Sequence, residues 1–139
     1  MDRVCFEDTF EVLAVDSERF DLVSRIKTQA QTFLAEMEVD INTEIYPIAV
    51  KETLSIALAI AGEESAYDGG RAETSTQSLI DMYEYVMFGK IFKKVNAAAN
   101  KVQVYASFGG LLMCLEGERS DMDVLSLDDR VYLLIKKVH

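Results

Sequence analysis

The side chains able to do acid, base or metal chemistry in this 139-residue chain are few in kind and scattered. His139 is the single histidine and the last residue, so a Ser-His-Asp or Cys-His arrangement would need a frayed terminus as its positioned base. Glu36, Glu38 and Asp40 stand at i, i+2 and i+4, a spacing that lines three carboxylates along one strand face, where they could chelate a hard cation such as Mg²⁺. Alternation alone also demands polar residues on a solvated face, which is the plainer reading. Asp121-Met122-Asp123 and Asp128-Asp129 carry fragments of a calcium-loop pattern without its glycine and closing glutamate. Gly109-Gly110 lacks the spacing of a phosphate cradle and the strand-then-helix setting it requires, so a bulge or a close backbone approach is expected. Cys114, inside Leu111-Leu112-Met113-Cys114-Leu115, has no neighbouring base and is expected to be an inert core hydrophobe. With Cys5 far away and no C-x-x-C pair, neither a disulfide framework nor a zinc site is expected, and a reducing compartment fits. No catalytic, cofactor-binding or metal-binding residues are expected.

Charge narrows the partners. Acidic residues number 24 against 14 basic ones, a net charge of -10, and residues 1 to 70 hold 15 acids and 5 bases while residues 71 to 139 hold 9 of each. Such a surface repels a phosphate backbone. The local exception is a set of aromatics, Tyr83, Tyr85, Phe88, Phe92, Tyr105 and Phe108, interleaved with Lys90, Lys93, Lys94 and Lys101, the mixture that stacks single-stranded bases. Strand alternation sends several of these rings inward, and tyrosine and phenylalanine are also enriched at protein interfaces, so a protein partner is the stronger reading.

Elements that position these residues read as β. Phe33, Ala35, Met37, Val39 and Ile41 alternate with polar neighbours, a half-buried strand over 33–41. Pro47, the only proline, should end its pairing or lie on an edge. Leu54, Ile56, Leu58 and Ile60 alternate again. Residues 62–80, with Gly69-Gly70 and a Thr-Ser-Thr-Gln-Ser run, read as one long flexible loop. Met82 to Phe92 and Val102 to Phe108 form a hairpin across Asn96–Lys101, Leu111 to Leu115 follows, 117–129 is a second loop, and Val131 to Val138 is the last strand. The N-terminal third is open: Phe20, Val23, Ile26, Ala30 and Phe33 suit one helix face, while Ser24, Ile26, Thr28 and Ala30 suit a strand. Half the residues are hydrophobic and no apolar run is long enough to cross a membrane as a helix. Met1-Asp2-Arg3-Val4 opens no secretory leader. The expectation is an all-β chain: residues 1–139 as one antiparallel β-barrel domain, OB-fold-like, of seven to nine short strands.

Two family resemblances follow. Arg130-Val131-Tyr132 on a last strand resembles the carboxylate grip of the intracellular fatty-acid-binding barrels, which also need a helix pair after their first strand. A longer series of motifs resembles the small OB-fold subunit shared by the eukaryotic nuclear RNA polymerases I, II and III, the eighth in polymerase II numbering. In order these are Phe6-Glu7-Asp8 with Phe10 and Val12, Phe20-Asp21 with Val23-Ser24-Arg25, Asp40-Ile41-Asn42, Glu44-Ile45-Tyr46-Pro47 and Glu84-Tyr85-Val86-Met87-Phe88-Gly89-Lys90. Tyr105-Ala106-Ser107-Phe108-Gly109-Gly110-Leu111-Leu112-Met113 and Asp129-Arg130-Val131-Tyr132-Leu133-Leu134 complete it, so the likeness runs from Phe6 to Lys137. It implies a barrel with strands in the N-terminal third, a nuclear location, no cofactor, and a non-catalytic subunit docked on the largest polymerase chain. The 62–80 segment, the Asn96–Lys101 link and the end at Lys137-Val138-His139 depart from the family pattern. Motif density marks Tyr85, Gly89, Lys90, Tyr105, Phe108, Gly109, Gly110, Leu111 and Arg130 as interface candidates, with the glycines allowing close approach of a partner backbone, by strand addition, or only bending the barrel.

Overall fold

In the computed structural model, which describes residues 3–61 and 74–139, strands take up most of the chain. β1 (Arg3–Phe20), β2 (Val23–Ala30), β3 (Glu36–Asn42) and β4 (Thr53–Ile60) come first, followed by helix α1 (Thr74–Asp81). β5 (Tyr85–Asn96), β6 (Lys101–Phe108), β7 (Leu111–Glu118), a short helix α2 (Arg119–Met122) and β8 (Arg130–Lys137) complete the order. The strands pair as β1-β2-β3-β7-β6-β5-β8-β4 and close back on β1, antiparallel throughout. The expected antiparallel barrel is found, with eight strands. β1 serves two neighbours, β4 along its first half and β2 along its second, bending at register shifts after Val4 and Val12.

The ambiguity in the N-terminal third resolves by burial. Ser24, Ile26, Thr28 and Ala30 face inward from β2, so the period of two wins over the helical one. The helix pair of a fatty-acid carrier is therefore absent from its place after the first strand. Phe10, Ile26, Met37, Leu115 and Leu133, all 0% exposed, fill the barrel interior. Burial of each such side chain stabilises by about 1.5–3 kcal/mol.

Four expected boundaries change, and the simplest is that the strand expected over Met82 to Phe92 runs from Tyr85 to Asn96. The strand expected over 33–41 begins at Glu36, because the chain first turns: Ala30 N–H donates to the Ala35 carbonyl at 2.9 Å and Phe33 lies outside the ladder. Of the expected 62–80 loop, 62–73 lie outside the described residues, while 74–80 are helical. The Thr-Ser-Thr-Gln-Ser run has weak intrinsic helix preference, but Leu79 and Ile80, with Tyr83, gain a sheet face to cover, packing on Ala57, Ala59 and Leu134. That cover also explains why β4, unlike a strand with one wet side, buries Ala57 and Ala59 as well as Leu54, Ile56 and Leu58. Finally, the expected loop over 117–129 is mostly a plug. β7 continues through Glu118, and α2 with the turn after it sends Met122 and Leu125, both 0% exposed, into the barrel end. The Lys94 ammonium donates to the carbonyls of Met122 and Leu125 at 3.1 and 2.7 Å and holds the plug.

Asp8 anchors the β2–β3 turn from within β1. Its Oδ1 accepts from Thr9 N–H at 2.7 Å, and its Oδ2 accepts from Thr32 and Phe33 N–H at 2.9 and 2.8 Å. Burial disfavours the charged carboxylate, but the backbone bonds from Phe33, Thr9 and Thr32 outweigh it and hold Asp8 below its ordinary 3.8. An asparagine has one acceptor oxygen for these three donors and turns an NH₂ toward at least one of them. Asp8→Asn is therefore expected to lower unfolding free energy by about 1–3 kcal/mol at neutral pH. Because the folded-state pKa is depressed, wild-type Asp8 contributes stability above its unfolded pKa and loses it as pH falls through the folded one. Urea titrations at pH 7 and pH 3 should show the two proteins converging in acid; a constant gap would show that the charge is not what stabilises the turn.

Candidate partner interface

The nine interface candidates fall into three places. Tyr85, Phe108, Gly109 and Leu111 gather around a surface groove of about 460 Å³ at one end of the barrel, which Asn42, Ile45, Val86 and Phe88 also line, with Gly110 beside it between Gly109 and Leu111. Lys90 and Arg130 stand opposite one another across β5 and β8, beyond that groove, with Gly89 one residue back. Tyr105 lies on another stretch of wall, where its ring meets Phe92 at 6.2 Å and the Lys93 ammonium at 5.3 Å.

Geometry separates the glycines. A Cβ on Gly89 would sit 2.1 Å from the Ser107 carbonyl and 2.7 Å from the Phe108 ring, so this glycine makes room for the protein's own β6. Gly109 and Gly110 form the two-residue turn between β6 and β7, with φ of 65° and 99°. Both values lie in the left-handed region that primed hairpin turns demand. The bulge expected at Gly109-Gly110 is thus a tight turn, selected because its twist matches the strands it joins. Phe108, expected as a contact residue, points inward and is 5% exposed, as the alternation of β6 requires. The same alternation corrects Cys114: Met113 and Leu115 point inward, leaving Cys114 half-buried on the outer face beside Tyr105. There burial pushes the thiol pKa up, partly offset by the Tyr105 hydroxyl.

Residues outside the nine candidates join Tyr85 in holding the groove's rim. Tyr85 stacks on Tyr46 at 5.3 Å, and its hydroxyl accepts the Asn42 N–H at 3.1 Å. Tyr46 donates its own hydroxyl proton to Glu84 at 2.6 Å, and Glu84 also accepts the Lys137 N–H at 2.9 Å. Tyr46 and the Lys137 amide hold the Glu84 carboxyl below the usual carboxylate range, so it is anionic at neutral pH. Tyr83, just before it, donates to Glu7 at 3.1 Å, and burial followed by that acid pushes its hydroxyl up to about 12. Across the barrel Asp40 departs from the solvated carboxylate row expected of it. It is 2% exposed, receives Arg25 through Nε and Nη2 at 2.8 and 3.1 Å, and accepts the Leu112 N–H at 2.9 Å. No local signal marks it, because the pairing of Arg25 with Asp40 across β2 and β3 is a register that only the folded sheet reveals.

Against this geometry the comparisons with known proteins are decisive. The family model described as RNA polymerase Rpb8 matches residues 7–137. The chain belongs to the RNA polymerase Rpb8 family. A Dictyostelium discoideum protein named as a subunit of DNA-directed RNA polymerases I, II, and III is 42% identical, with 99% of each chain covered. The Saccharomyces cerevisiae subunit of the same three polymerases is 34% identical over 99% of this chain and all of its own. An Arabidopsis thaliana relative, 36% identical over 97% of each, is named as a subunit of polymerases II, IV and V.

As an Rpb8-family chain, the protein keeps every candidate residue inside the matched segment. Only part of that set is available to a partner. Phe108 serves the core and Gly89 serves strand crossing, whereas Tyr85, Leu111, Lys90 and Arg130 retain at least part of their surface. Lys90 lies 3.6 Å from Asp128, but both side chains are largely in water, so that pair contributes little to stability. The glycines are expected to separate in urea midpoints. Gly89→Ala forces backbone against backbone and should cost about 1–3 kcal/mol. Gly110→Val, whose side is open but whose φ is unfavourable, should cost about 1–3 kcal/mol from strain alone. Gly109→Asn, with φ in the region asparagine tolerates, should stay within about 1 kcal/mol of wild type. Equal costs at all three positions would refute the distinct roles assigned to them.

Proposed function

We propose that this chain is a non-catalytic subunit shared by the DNA-directed RNA polymerases I, II and III, that it works in the nucleus, and that it docks on the largest polymerase chain and supports assembly. The observation that carries the reading is the family match over residues 7–137 together with relatives covered almost end to end that bear polymerase-subunit names. The physical chemistry agrees. A net charge of -10 suits a protein scaffold better than a stand-alone nucleic-acid binder. A subunit used by more than one enzyme needs a rigid body, and a closed barrel with side chains packed through its interior supplies one.

The chain tagged at its N-terminus and isolated from nuclear extract at moderate salt should bring down the largest chains of all three polymerases, identified by mass spectrometry. Recovery of the chain alone, or with bound lipid, would overturn the reading. A steeply salt-dependent affinity of the isolated chain for single-stranded oligonucleotides would also count against it, because the charge argument would then have failed.

A further inference from the structure

The ladders of this barrel stop short at several places, β1 beyond Val12 and β3 beyond Val39 among them, and one of these places lies in β5 beside an apolar groove. β5 pairs with β6 only from Lys90 onward, so Tyr85 to Gly89 pair with β8 alone. Which of those residues have backbone groups to spare follows from β8. The Arg130 carbonyl accepts from Ala61 N–H and Val138 N–H donates to the Thr53 carbonyl, so the even-numbered residues of β8 bond toward β4 and its odd-numbered residues toward β5. Tyr85, Met87 and Gly89, opposite Ile135, Leu133 and Val131, therefore spend their N–H and C=O groups on β8. Ile91 continues the same phase, exchanging bonds with Asp129 and Asp128. Val86 and Phe88 aim theirs the other way, toward the place where β6 would lie had it not ended at Phe108 and turned through Gly109-Gly110. This leaves a two-residue edge on β5.

The edge opens into the groove at the barrel end, where exposed apolar side chains collect: Ile45 is 70% and Phe88 43% exposed, and Leu111 is half-buried. Its ends differ in charge. Glu84, anionic, flanks one end and Lys90 the other. Unpaired strand backbone beside apolar pockets is the surface that strand addition uses.

We infer that Val86 and Phe88 take up a short extended segment of a partner polymerase chain as an added strand, with alternate apolar side chains in the groove, a basic residue passing Glu84 and an acidic one passing Lys90. This rests on the subunit reading above. At this groove the register of β5 confines addition to these residues, because β6 takes over from Lys90 onward.

Two measurements test it. In hydrogen exchange, the Val86 and Phe88 amides of the free chain should exchange faster than those of Met87 and Gly89, and should slow by at least about tenfold when the chain is recovered in polymerase. Phe88→Pro deletes the outward N–H while leaving the bonds of Met87 and Gly89 to β8 in place. It should lower recovery of polymerase about tenfold beyond Phe88→Ser, which removes the side chain alone, at unchanged melting temperature. Unchanged exchange at Val86 and Phe88 in the recovered complex overturns the inference and leaves the subunit reading standing, even if the proline variant fails to fold. Slowing that arises in the concentrated free chain, with a doubling of mass, assigns the edge to a second copy and also overturns it. A wild-type chain that recovers no polymerase overturns both.

Discussion

Every strand in a closed barrel must place its backbone donors and acceptors on neighbours at both sides, and that requirement organises this molecule. Eight antiparallel pairings meet most of it, but the ladders are unequal in length. β3 and β7 share only Glu36 to Val39 with Glu116 to Met113, and β5 divides its length between β8, over Tyr85 to Lys90, and β6, over Lys90 to Asn96. A buried backbone group without a partner costs about as much as a lost hydrogen bond, so each place where a ladder stops calls for a substitute.

Side chains provide the substitutes. Asp40 takes the Leu112 N–H where β3 and β7 part, Asp8 takes Thr32 and Phe33 in the turn before β3, and Tyr85 takes the Asn42 N–H at the end of β3. Glu84 takes the Lys137 N–H at the end of β8, while Lys94 serves the carbonyls of the plug. This explains why so many polar residues with positional roles stand at strand ends. It also makes the edge at Val86 and Phe88 informative, because it opens to solvent where substitutes would otherwise be expected. In a shared polymerase subunit, a defect in closure that is wet in the free chain and dry in the complex would couple folding of the barrel to its assembly.

The apolar outer face of β4, β5 and β8 shows a second use of the same economy. A barrel wall normally has one dry and one wet side, yet here α1 lays Leu79 and Ile80 over Ala57, Ala59 and Leu134. Small alanines on β4 let the helix sit close. Tyr83, bonded to Glu7, fixes the exit from that helix to β1 before β5 begins.

The sequence by itself determined the period-two faces of β3 and β4, the hairpin of β5 and β6, the last strand, and through its motifs the family, while the face of β2 stayed open until burial decided it. Those signals are local: a side chain's inward or outward direction follows from its neighbours at i±2, and a motif is a string. The helix α1, the plug at Met122 and Leu125, and the roles of Asp8 and Asp40 were decided only by tertiary structure, because each depends on a partner distant in sequence. Residues 31–33 have no local reason to turn away from β3 until Asp8 lies beside them. Glycines show the division most sharply. Gly109-Gly110 could be seen as a break in a pattern, but whether Gly89 admits a partner or its own β6 depends on where the Ser107 carbonyl lies, and register across a sheet is a property of the closed barrel rather than of any one strand.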